Sequence, residues 1–415
     1  MQRSIGGGEE RSEWFIPACE EFDSERVALH LRLNRATRWY RELVVPGIGG
    51  AWFVRQLSWA VAGLVLAEQT NGRQSPTRIA NGIEALACKL AWQEEPDVAG
   101  IRGKRAFGRP ASQDVWSFER LSQPKYYVRV TFRQSAVRAL VGLGLAEGGT
   151  MFHSMELTEA GRDLAERFLT NGGDRPRFCA SLRGWLRGEG QKPGPLGALV
   201  RKSPSMGEKQ LVLERLEAES AGAAKNGRRS SLIRALGKTP SAGYPDINAL
   251  VEKLGPDQRC EVRSALAFDK MVAAGRSVLK KCAGFMEKTG QTVVQVRELA
   301  SAWGVSGAID SARRLASEFA NATRDSGERP RDATEYADAV GRASSNEAAV
   351  MELIRRDGSI LVLFGNRVSR GPLFHRHAAA DEGTAADVGT EESSTENKIR
   401  QLFALWKDCI GKDYK

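Results

Sequence analysis

Histidine is scarce in this chain, with 4 in 415 residues. Only His375 and His377 lie close together, as HRH, and no cysteine or carboxylate motif beside them completes a metal site. The six cysteines are scattered and form no CxxC pair, so neither a zinc ribbon nor a disulfide framework is indicated. The opening MQRSIGGGEERSEW has no apolar core of a signal peptide. The most apolar run, Leu57 to Ala67, is eleven residues flanked by Arg55 and Glu68, short of the roughly 20 a bilayer requires. A phosphate-binding loop is missing too: GKT at Gly237–Thr239 has Leu232 where the leading glycine belongs. PDINALVEK spaces its carboxylates only loosely like a nuclease, with no acidic-x-Lys following on a strand. No catalytic residue, cofactor or metal is expected, and the chain reads as a reduced, cytoplasmic protein without a membrane partner.

What the sequence does have is positive charge. Lys and Arg total 61 against 51 Asp and Glu, a formal net charge of +10. A basic protein of this kind favours an anionic partner, nucleic acid first. Hydrophobic residues make up 41%, the level of an ordinary globular protein, and the length allows two or three domains.

Helical signals dominate. Pro46-Gly47 opens a loop before an apolar helix from Trp52 to Ala67 that is expected at the centre of a core. Pro76 suits the first turn of a second helix with an Ile79, Ile83, Leu86, Leu90 stripe. GIRGKRAFGRP (100–110) is a basic glycine-rich loop, and Ser112 a candidate cap for a short helix carrying Val115, Trp116 and Phe118. YYVRV (126–130) alternates like a strand, and Thr131 with Gln134 makes a possible capping box. The helix RQSAVRALVGLG follows, then the hairpin EGGTMFHS and the helix MELTEAGRDLAERFL.

That succession resembles the recognition helix, wing and following helix of bacterial MarR-like and PadR-like regulators. The resemblance implies a helix buried through Ala136, Val137, Leu140 and Val141, with Arg133, Gln134 and Arg138 on its outer face. There they would reach base edges and phosphates, with the wing residues Gly149, Thr150 and His153 along the backbone. One feature argues against it: nine residues, QPKYYVRVT, separate this helix from the one before. VRELASAWGVSGAIDSARRL (296–315) resembles a second helix-turn-helix, but Asp310 stands where a buried aliphatic belongs, which favours ordinary helix-loop-helix packing.

Arg102, Lys104, Arg105 and Arg109 make the loop at 100–110 a candidate phosphate contact. Residues 100–150 hold nine Lys or Arg and three Asp or Glu, and KNGRRSSLIRALGK (225–238) is a second basic cluster. The candidate nucleic-acid-binding residues are therefore Arg102, Lys104, Arg105, Arg109, Arg133, Gln134, Arg138 and His153.

The ordered landmarks VPGIGGAWFVRQLSWAVAGLVL, GIRGKRAFGRPASQDVW and LTEAGRDLAERFL resemble an uncharacterised bacterial family whose members tend to be encoded beside helicases and nucleases in phage-defence islands. The resemblance covers about a third of the chain. It implies membership of a defence complex and carries no catalytic residues.

The expected fold is mainly α, multi-helical, with an embedded winged helix-turn-helix and a second helical domain. An N-terminal helical region spans 1–98 and a winged-helix-like domain with the basic loop 99–170. A Gly/Pro/Lys-rich, linker-like stretch covers 171–229 and a C-terminal helical domain 230–368. An acidic tract over 378–397, with six carboxylates and no basic residue, is expected to be disordered, and a terminal helix over 398–415 to dock on a partner around Trp406. The leading expectation is a non-enzymatic accessory subunit that binds double-stranded DNA beside a helicase or nuclease partner. A protein-interaction scaffold or adaptor is the alternative. A transcriptional regulator fits less well, since such regulators seldom carry so much further chain.

Overall fold

A computed structural model describes residues 31–70, 73–95, 102–110, 115–128, 130–149, 151–170, 175–188, 203–218, 227–238, 244, 246–324, 329–374 and 394–411. Ser112, Thr150, His375, His377 and most of the acidic tract lie outside these residues.

The fold is mainly α. Seventeen helices and five short strands occur among the described residues. Helix α1 (Asn34–Val44) leads through a glycine-rich loop into α2 (Val54–Gln69), of which thirteen of sixteen residues are buried. Such all-round burial matches its apolar run and places it at the centre. Helix α3 (Pro76–Glu94) packs on α2 and starts as its sequence indicates, with Ser75 capping the Arg78 N–H and Pro76 in the first turn. The short α4 (Lys104–Phe107) and α5 (Phe118–Leu121) close over α3. Helix α6 (Phe132–Gly142) follows, then β1 (Ala146–Gly148), a 3-10 turn (Phe152–Ser154), β2 (Met155–Leu157) and α7 (Glu159–Thr170). The two strands pair antiparallel, Ala146 opposite Leu157.

The stretch read as linker-like over 171–229 carries two helices, α8 (Arg175–Leu186) and α9 (Met206–Glu217). Leu182 and Trp185 of α8 and Leu211, Val212 and Leu216 of α9 are buried. An ion pair fixes α9: Glu208, fully buried, meets Arg55 of α2 at 3.0 Å and accepts from the Ser58 hydroxyl at 2.7 Å. Glycine, proline and lysine are plentiful here, but the apolar faces between them have a core to join.

Helices α10 (Arg228–Gly237) and α11 (Ile247–Glu252) lead to α12 (Pro256–Lys288), 33 residues and about 50 Å long. Then come β3 (Val293–Gln295), α13 (Val296–Ser301), α14 (Val305–Ala322), α15 (Arg331–Gly341), α16 (Asn346–Asp357), β4 (Leu361–Phe364) and β5 (Arg367–Arg370). The sheet order is β3-β5-β4, all antiparallel. Asp310 is exposed and accepts from Asn346, while Ile309 beside it is buried, so no carboxylate is stranded in the core.

The last helix, α17 (Thr395–Cys409), packs on α1, α9, α10 and α12, with Ile399, Leu402, Phe403 and Leu405 buried. The terminal helix is thus part of the molecule's own core. One large apolar cluster runs from Leu31 to Cys409 and a second gathers α2, α3, α5, α7 and α8. No helix among the described residues is long and apolar enough to cross a membrane.

Candidate nucleic-acid interface

Helix α6 is gripped at both ends by ionisable side chains. At its start the Thr131 and Gln134 capping box forms as the sequence indicates. Beneath it the fully buried Glu84 carboxyl of α3 accepts from the Phe132 N–H, from the Arg133 N–H at 2.8 Å and from the Tyr127 hydroxyl. At its end Arg215 donates to Leu143 O at 3.0 Å and Gly144 O at 3.1 Å. The buried Arg229 guanidinium gathers five carbonyls, of Leu216, Pro46, Gly142, Arg215 and Ala218. A carboxyl at the N-terminus and guanidinium groups at the C-terminus match the sign of the helix dipole. Burial nevertheless pushes the Glu84 pKa up, against the pull of Tyr127 and the two backbone donors, and drives the neighbouring Cys88 thiol to about 12.

The loop at 46–50 covers a further side of α6, with the Gly50 N–H donating to Ser135 O at 2.7 Å. What remains open is a narrow stripe of Gln134, Arg138 and Val141, the last 48% exposed. Two expected placements are therefore corrected. Val141 is outside, because the buried face turns toward Ala136, Ala139 and Leu140. Arg133 is inside: its Nε donates to Asn81 Oδ1 at 3.0 Å and its guanidinium lies 5.0 Å from the Phe152 ring. Burial pushes its pKa down.

Among the described residues of 126–130 no strand forms. Tyr127 is drawn inward to Glu84 and stacks on Phe107 of α4 at 5.8 Å, so Tyr126 and Tyr127 lie in a bend. Alternation of aromatic and aliphatic residues there records a side chain buried by α3, not a ladder.

The other site residues divide into struts and open cations. Arg102 donates to Val130 O at 2.9 Å and Ser135 Oγ at 3.3 Å, and its guanidinium lies 4.2 Å from the Phe132 ring, bracing α4 against the start of α6. Gln134 is exposed, but its side-chain oxygen accepts from the Thr131 N–H at 3.0 Å. Arg105, Arg109 and Arg138 are exposed and Lys104 half-buried, and none of the four makes an ion pair among the described residues. His153 is exposed in the 3-10 turn between β1 and β2. Many arginines of the C-terminal half are neutralised on their own helices, as in Arg314–Glu318, Arg331–Glu335, Arg342–Asp338 and Arg356–Glu352.

Sequence reasoning missed Glu84 and Arg229, whose partners are distant in the chain. Among the described residues no three His, Cys, Asp or Glu side chains converge as a metal ion requires. The chain matches no family model, no curated protein and no solved structure.

Proposed function

We propose that the chain is a non-enzymatic accessory subunit that holds double-stranded DNA by its phosphates, in a bacterial multi-protein system of the anti-phage kind. The carrying observation is the set of cations that make no ion pair among the described residues, Lys104, Arg105 and Arg109 on and beside α4 and Arg138 on α6, in a segment with six more basic than acidic residues. The order α6, hairpin, α7 supports a winged-helix reading. The inward turn of Arg133 and the capping role of Gln134 leave that helix little to read bases with, so contact with the backbone is the better account. The defence context rests on the sequence resemblance, and a helicase or nuclease partner supplies the chemistry in this reading.

The test is duplex binding against salt. Four phosphate contacts give a log-log slope of about −3.6. No binding at ~50 mM salt, alone or with the products of neighbouring genes, removes this function.

A scaffold or adaptor is the second reading, and it too has its own observation. Trp303, in the turn between α13 and α14, is 99% exposed, and Phe364 and Val293 stand open on one face of the β3-β5-β4 sheet. Trp303→Ala is expected to leave stability unchanged. If it abolishes co-purification of a neighbouring gene product while DNA binding persists, the scaffold reading gains.

A further inference from the structure

The three-stranded sheet β3-β5-β4 turns one face to solvent, and its register sets which side chains share that face. Gln295, Arg367 and Phe364 stand opposite one another across the three strands, and Val293, Ser369 and Val362 make the next row. Cross-strand partners of this kind have Cβ atoms about 4.5–5.5 Å apart, so the six side chains form one surface. Val294, Val368 and Leu361, on the alternate positions, are buried. Phe364 is 65% exposed, and its ring meets no other ring and no cation among the described residues. Arg367 is exposed and makes no ion pair there. None of the three strands carries a carboxylate. The Val296 N–H donates to Asn366 O at 2.9 Å, which sets Arg297 beside the hairpin turn. Arg297 is also exposed and without an ion pair among the described residues, and its neighbour Glu298 accepts from Gln291 at 3.4 Å.

An open ring in line with a guanidinium that no carboxylate neutralises matches a ligand with flat aromatic faces strung on negative charge. Single-stranded nucleic acid is such a ligand: its unstacked bases lie on aromatic side chains while cations follow the phosphates. A duplex keeps its bases stacked on one another and offers this face none. The helix pair α13 and α14, where the sequence resembles a helix-turn-helix, is poorly equipped for a duplex as well. The open positions of α14 include Gly307, Asp310, Arg314 and Glu318, and Arg314 is held by Glu318. Two carboxylates against one committed guanidinium repel phosphate, which leaves the sheet face as the part of this half that suits a polyanion.

We propose that the outer face of the β3-β5-β4 sheet binds single-stranded nucleic acid, with a base stacked on Phe364 and neighbouring phosphates on Arg367 and Arg297. The site shares no residue with the cations of α4 and α6. It takes the strand that a helicase or nuclease partner exposes, and only that role rests on the DNA-binding reading.

A dye-labelled oligothymidylate of about 12 nucleotides is titrated with the full chain at ~50 mM salt and followed by anisotropy. Phe364→Ala and Arg367→Gln, both exposed changes that spare the fold, are each expected to weaken binding about tenfold, and Phe364→Trp to retain it. Irradiation of an oligonucleotide carrying iodouracil is expected to crosslink Phe364. An oligouridylate of the same length tells the two sources apart, the tighter binder being the ligand. No single-strand binding by the wild type, or unchanged binding in Phe364→Ala, overturns the site. In the first case, a dimer or a protein partner that Phe364→Ala releases gives the face to protein instead. A Lys104→Gln, Arg105→Gln, Arg109→Gln chain is expected to lose the duplex and keep the oligothymidylate. Loss of both ligands in that chain places the single strand on α4 and α6 and overturns the separate site. No duplex binding by the wild type, with the oligothymidylate still bound, removes the duplex reading and leaves the site.

Discussion

Gly47 and Gly142 meet backbone to backbone. A Cβ on Gly47, which also sits at φ +73°, would lie 2.9 Å from the Gly142 carbonyl oxygen, and a Cβ on Gly142 would overlap the Gly47 carbonyl. Arg229 pins the same crossing, reaching Pro46 O at 3.2 Å and Gly142 O at 3.3 Å. The loop thus lies directly on α6, and its glycines are there for approach as much as for turning. Gly142→Ala is expected to cost about 3 kcal/mol, because rigid backbone rather than a side-chain tip must move. Gly284→Ala, in α12 with nothing within 4 Å of the added Cβ, is expected to gain about 0.5–1 kcal/mol. Urea midpoints of the two variants should move in opposite directions.

Glu84 makes stability depend on pH in a defined direction. Its folded pKa lies above the ordinary 4.5 because burial outweighs its donors. An acid raised on folding binds more protons folded than unfolded between the two values, so stability falls as pH climbs from about 4.5 through the folded pKa. Glu84→Gln keeps an oxygen for the Phe132 and Arg133 N–H groups and removes the titration. It is expected to cost about 1 kcal/mol near pH 4 and to gain on the wild type as pH rises. A constant difference between the two from pH 4 to pH 8 would remove Glu84 as the source.

Local signals were legible in the sequence and long-range ones were not. The Pro76 start of α3, the Thr131 and Gln134 box, and the central place of Leu57–Ala67 each follow from residues within a few turns of one another. So does the order of α6, hairpin and α7. The inward turn of Arg133 depends on Asn81, 52 residues away, and the lost strand at 126–130 on Glu84, 43 residues from Tyr127. Helix α9, within 171–229, is held by Arg55 and Glu208, 153 residues apart. Periodicity reports which faces are apolar and cannot say what will bury a polar group. Of the eight candidate site residues, the two that became struts or core, Arg102 and Arg133, are those whose partners come from such contacts.

The division of the cations can be measured directly. Lys104→Gln, Arg105→Gln and Arg109→Gln together are expected to reduce the salt slope of duplex binding by about 2.7, at 0.9 for each phosphate contact, with stability unchanged within about 0.5 kcal/mol. Arg133→Gln is expected to do the reverse. It strands Asn81 Oδ1 and loses the Phe152 contact, costing about 1–3 kcal/mol, and it leaves the slope alone. A folded Arg133→Gln variant with a shallower slope would place Arg133 on DNA after all.

The acidic residues before α17 are opposite in sign to the proposed DNA surface, which makes them a candidate competitor for it, and α17 decides how that is tested. Ile399, Leu402, Phe403 and Leu405 are at most 1% exposed, and Asp408 accepts from the Val54 N–H at 2.7 Å, 354 residues away in sequence. Four such side chains contribute roughly 6–12 kcal/mol of burial, comparable to the roughly 5–15 kcal/mol that a whole fold retains. Truncation after Arg376 is therefore expected to unfold the protein, and any loss of binding it causes says nothing about the tract. Replacing Asp381, Glu382, Asp387, Glu391 and Glu392 with their amides keeps α17 and removes five charges. If the tract competes with DNA, the neutralised chain binds duplex more tightly at ~50 mM salt, and the advantage shrinks by ~200 mM as the Debye length falls below about 10 Å. Unchanged binding at low salt, in a variant that melts like the wild type, would show that these carboxylates do not reach the DNA surface.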